Sequence, residues 1–72
     1  MKEHTLVRIT GDSLDEHIRI AESDDVYELD SLIRKDGFTF DYECESGWWY
    51  INDNVSAVIA HKWLIKELNA NV

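Results

Sequence analysis

The sequence predicts an α+β fold in the order ββαββα, a four-stranded antiparallel sheet with two helices packed on one face. Three observations carry that expectation. Residues 38–45 read FTFDYECE, an unbroken period-two alternation. Residues 24–35 hold apolar side chains at helical spacing between capping residues at both ends. Residues 5–10 and 17–21 read TLVRIT and HIRIA, two β-branched runs separated by the turn formers Gly11, Asp12 and Ser13.

The first two runs form a hairpin whose inward set is Val7, Ile9, Ile18 and Ile20, with Arg8, His17 and Arg19 on the other face. Ser23, Asp24 and Asp25 then offer oxygens to the orphan N–H groups of a helix start, and Val26, Leu29, Leu32 and Ile33 follow as its apolar stripe. Arg34 and Lys35 suit the negative end of that helix, and Gly37 suits the left-handed residue just past it.

In the third strand the alternation sets Phe38, Phe40, Tyr42 and Cys44 on a core face and Thr39, Asp41, Glu43 and Glu45 on a solvent face. Ser46 and Gly47 make a compact turn, and Trp48 to Ile51 return as a strand. Asp53 or Asn54 then caps a last helix from Val55 to about Leu68, with Ala57, Val58, Ala60, Leu64, Ile65 and Leu68 on its apolar side. One sheet face and two amphipathic helices close a two-layer core.

Seventy-two residues allow one domain, residues 1–72, and a chain of that size buries only about 60% of its unfolded surface. With 44% hydrophobic residues and eight aromatics, it is too apolar to remain disordered in spite of a net charge of −8. Cys44 is the lone cysteine, which excludes an internal disulfide and a thiolate metal site. Residues 1–4 lead into no secretory h-region, and no apolar run approaches the roughly 18 residues a bilayer needs, so a cytoplasmic protein without a membrane partner is expected.

Charge separates the partner classes. Fifteen carboxylates against seven Lys and Arg oppose direct binding of nucleic-acid phosphates and favour a protein partner with a basic surface. From Asp12 to Asp30 eight carboxylates face Arg19 alone, and from Asp36 to His61 no Lys or Arg occurs. Crowded like charge also predicts that added salt raises the melting temperature. A scan of Tm against NaCl checks this, and a flat or falling trend would show the carboxylates paired instead.

Adjacent Trp48 and Trp49 must point to opposite faces of their strand. A two-residue turn at Ser46 and Gly47 sets Glu45 opposite Trp48 and Glu43 opposite Tyr50, placing Trp48 and Tyr50 on the acidic face. A three-residue turn inverts the parity and puts Trp49 and Ile51 there instead. Either register leaves a large aromatic beside carboxylates, an arrangement suited to lysine or arginine heads over a ring. The candidate partner-binding residues are therefore Trp48, Trp49, Tyr50, Asp41, Glu43 and Glu45. The bland account is that the outward tryptophan covers its neighbours and the acidic face keeps the chain soluble.

No catalytic or cofactor chemistry is legible. His4, His17 and His61 lie in separate elements without metal-ligand spacing, although His4 and His17 could meet across the first hairpin. His61 falls on the apolar side of the last helix, and Cys44 on an inner strand face is poorly placed as a nucleophile. A non-enzyme without cofactor or metal is expected. In size, acidity and lack of motifs the chain is similar in type to small accessory proteins of phages and mobile elements. The leading expectation is an acidic modulator or inhibitor that occupies a basic surface, such as one that binds nucleic acid. The alternative is an assembly subunit that buries its aromatic hairpin in a homodimer. A small-molecule binder with tryptophan walls is the third.

Overall fold

The computed structural model describes residues 2–70, and side chains as far as residue 66. The order is β1 (His4–Ile9), β2 (His17–Ser23), α1 (Val26–Lys35), β3 (Thr39–Cys44), β4 (Gly47–Asn52), β5 (Val55–His61) and α2 (Lys62–Ala70). All neighbouring strands are antiparallel, in the spatial order β2-β1-β5-β4-β3. The α+β class stands; the sheet has five strands rather than four, in the order ββαβββα.

The fifth strand is where the sequence predicts the start of a helix. Asn52 pairs with Val55, so Asp53 and Asn54 form a two-residue hairpin turn, with Asp53 at φ 54°, rather than a helix cap. Val55 to His61 then runs between β1 and β4 as the central strand, with Ala57, Val58, Ile59 and Ala60 all fully buried. A strand covered on both faces reads as a continuous apolar run, which periodicity does not distinguish from a buried helix; its β-branched residues favour the strand.

Both faces are covered because the helices lie on opposite sides of the sheet, not on one. Leu29 and Ile33 of α1 pack on Leu6, Ala57, Ile59 and Tyr50 on one face. Ile65 of α2 packs on Val7, Val58 and Ala60 on the other. Leu68 of the expected apolar side lies outside the described side chains.

The connection through α1 carries the chain from one sheet edge, β2, to the other, β3. Its start is fixed by the Asp25 side chain, which accepts from the Tyr27 N–H at 3.0 Å, while the Ser23 hydroxyl donates to Glu28 at 2.9 Å. Its end is fixed by Gly37 at φ 91°, whose N–H donates to the Arg34 carbonyl at 3.0 Å.

Two β-bulges revise the expected faces. In the first hairpin the register shifts between Leu6 and Val7, so Leu6 opposes Ala21 and Val7 opposes Arg19. Leu6 and Val7 are both buried, on different faces, whereas Ile18 and Ile20 of the edge strand are exposed. In the second hairpin the register shifts between Phe40 and Tyr42, so Asp41 is the extra residue and the two rings point to opposite faces. Phe38 is core, as the alternation predicts; Phe40, Tyr42 and Cys44 are exposed, because β3 lies at the edge beyond both helices.

Candidate functional site

Helix α1 lies over β2, β1 and β5, and α2 lies over β5 and β1, so β3 and the outer side of β4 extend past both. This wing carries the predicted residues. Cys44 pairs with Gly47, which makes Glu45 and Ser46 the two-residue turn, one position earlier than Ser46 and Gly47. Glu43 therefore opposes Trp48, and Tyr42 opposes Trp49.

Trp48 and Trp49 do point to opposite faces, but neither is a bare surface ring. Trp48 packs against the α1-side core and Trp49 against the α2-side core, both half-buried. The expectation that one must face outward assumes that a single sheet face is covered, and here both are. Tyr50 is buried at 3% exposure, while Asp41, Glu43 and Glu45 are exposed.

On the α1 face the wing and the helix enclose a half-open cleft of about 300 Å³. Val26, Asp30 and Arg34 form its helical wall, and Phe40, Trp48 and Tyr50 form its sheet wall. Tyr27, 78% exposed, stands at its rim. The Tyr50 hydroxyl donates to Asp30 Oδ1 at 2.5 Å, and Arg34 Nε donates to both oxygens of the same carboxylate at 3.0 Å. The Arg34 guanidinium also lies 5.9 Å from the Tyr50 ring centroid. Burial, reinforced by the hydrogen bond to Asp30, pushes the Tyr50 phenol well above its ordinary value and keeps it a donor. Phe40 meets Tyr50 edge to face at 5.7 Å, completing an aromatic wall.

The other face of the wing holds Tyr42 and Trp49, stacked at 5.9 Å with their planes 2° apart. Trp49 Nε1 donates to the Ser46 hydroxyl at 2.9 Å, and Cys44 Sγ shares that hydroxyl at 2.9 Å. The contact with Ser46 holds the Cys44 thiol below its ordinary value.

The histidines are arranged differently from the expected pairing. His4 opposes His61 across β1 and β5, their ring centroids 5.4 Å apart, and Trp48 lies 5.4 Å from one and 5.2 Å from the other. His17 sits at the far end of its hairpin, its Nδ1 2.7 Å from the Leu14 carbonyl. His4 Nδ1 is buried without a hydrogen-bond partner among the described residues. There too, no three His, Cys, Asp or Glu side chains are grouped to hold a metal ion, and no helix is long and apolar enough to cross a membrane.

Sequence reasoning missed the helical wall. Asp30 and Arg34 carry an i,i+4 signal for a surface ion pair, which they form, but nothing local announces that Tyr50 will join them. No family model, curated protein or solved structure matches this chain.

Proposed function

We propose that this chain is a non-catalytic binding module that engages a basic surface of a protein partner through the β3–β4 wing and thereby modulates it. The observation that carries the reading is the edge strand β3: all six of its residues are exposed, and Asp41 and Glu43 on it and Glu45 beside it have no Lys or Arg near them in sequence from Asp36 to His61. Carboxylates in that setting steer a cationic partner and repel an anionic one. A nucleic-acid-binding protein, whose cleft is already built for closely spaced negative charge, is the fullest form of such a partner.

The exposed Phe40, Tyr42 and Ile51 favour a second reading, a homodimer that covers the same wing. Light scattering across a salt series separates the two. A monomer is expected of the module, whereas a salt-insensitive dimer with blue-shifted tryptophan fluorescence would favour the self-interface.

The direct test compares the native chain with the triple variant Asp41→Lys, Glu43→Lys, Glu45→Lys as bait in extract of the source cell, followed by kinetics with the purified partner. Surface exposure predicts a stability change of only about 0.5 kcal/mol for each substitution, and circular dichroism checks that the triple variant remains folded. Association is expected to slow by about tenfold or more and to lose most of its salt dependence. Equal capture and equal rates for the two baits would remove the wing from the binding site.

A further inference from the structure

The half-open cleft between α1 and the wing lies beside the acidic edge strand that the proposed function uses. At about 300 Å³ it has room for one large side chain. Its floor is apolar and aromatic, from Val26, Phe40, Trp48 and Tyr50, while its polar atoms at Asp30 are already taken up by Tyr50 and Arg34. An added cation would meet Arg34 there. An apolar side chain would meet the hydrocarbon surfaces of Val26, Phe40, Trp48 and Tyr50.

Trp48 connects this cleft to the charge. Its ring lines the cleft, and its cross-strand neighbour on β3 is Glu43, with Phe40 on the same face of that strand. A chain extended alongside β3 projects side chains to that face at every second residue, about 6 to 7 Å apart. One such residue can enter the cleft while the next on the same face reaches Glu43.

We infer that the wing binds by strand addition: an extended segment of a protein partner pairs with the open edge of β3, seating one large apolar side chain in the cleft and placing Lys or Arg on either side of it. Main-chain pairing supplies affinity, and the cleft and carboxylates supply sequence preference. A second copy of this chain is a poor occupant. Laid antiparallel with Tyr42 opposite Tyr42, it sets Asp41 against Glu43 twice, and like charges directly opposed destabilise a ladder.

This inference rests on the proposed function, and the test separates their failures. The probe is a capped peptide of about nine residues, acetyl-Lys-Thr-Lys-Thr-Leu-Thr-Lys-Thr-Lys-amide, titrated to millimolar concentration into the ¹⁵N-labelled full chain. Expected are shifts in the amides of β3 and in the Trp48 indole, protection of β3 amides from exchange, and affinity about tenfold weaker when the central Leu is replaced by Ala. Equal, salt-sensitive binding of the Leu and Ala peptides would overturn the cleft while leaving a basic partner in place. Binding without β3 protection would overturn strand addition. No binding, or equal binding of a peptide with Glu for every Lys, would overturn both readings. Protection of β3 in a peptide-free dimer would assign the edge to a second copy and overturn the inference as well.

Discussion

Gly47→Ala is expected to destabilise the fold by about 3 kcal/mol or more, a large share of the roughly 5 to 15 kcal/mol available to a domain. Gly47 opens β4 at φ 142°, a conformation that residues with a Cβ rarely adopt and that costs about 1 to 3 kcal/mol when imposed. Space compounds that cost. A Cβ built there runs into the Ile59 carbonyl oxygen and lies 3.0 Å from the Ile59 carbonyl carbon and 3.1 Å from Ala60 Cα. These are backbone atoms of the central strand, held by β1 on their far side, so they have nowhere to retreat. Urea unfolding followed by tryptophan fluorescence measures the loss, and a change below about 1 kcal/mol would mean that β4 and β5 do not approach so closely.

That glycine also shows what the sequence could and could not say about this fold. The sequence reads Ser46-Gly47 as the turn, whereas the turn is Glu45-Ser46 and the glycine opens β4, where it is needed for the close approach to β5, a strand that local pattern reads as helix. The misreading of Val55 to Ala60 has one cause. Helices on both faces make the central strand apolar on both faces, which erases the period-two signal that identifies a strand. Helix α1 was legible because its caps are local: Asp25, Gly37 and the basic last turn act within a few residues of where they stand.

The candidate site divides in the same way. The carboxylates of β3 follow from the sequence alone, since an edge strand leaves them exposed whichever way the register falls. Their alignment on a single face does not survive, because the bulge at Asp41 resets the alternation halfway along the strand. The cleft was not legible at all. Asp30 and Tyr50 stand twenty residues apart and meet only because α1 crosses the sheet between its two edges. The paired tryptophans mark the intermediate case: their opposite orientations follow from strand geometry, but what each packs against depends on where the helices lie.

The place of β3 at the sheet edge makes a quantitative prediction that the alternation alone does not share. Were α1 to cover the whole strand, Phe38 and Phe40, which share a face, would sit side by side in one core, and truncating either would cost a similar amount. In the structure Phe38 is 6% exposed, packed with Leu29 and Ile33 just before β3 begins, whereas Phe40 is 45% exposed on the edge strand. Phe38→Ala is therefore expected to cost about 3 to 5 kcal/mol, the range for emptying a buried aromatic site. Phe40→Ala should cost about 1 kcal/mol, since its edge-to-face contact with Tyr50 at 5.7 Å is its main described ring contact. Both are read from urea midpoints at constant m-value. Equal losses would mean that Phe40 belongs to the core. A large loss at Phe38 with a small one at Phe40 would establish the wing as a surface whose apolar wall contributes little to folding. Phe40→Ala would then be a folded variant that lacks one wall of the cleft, able to report on binding without confusion from stability.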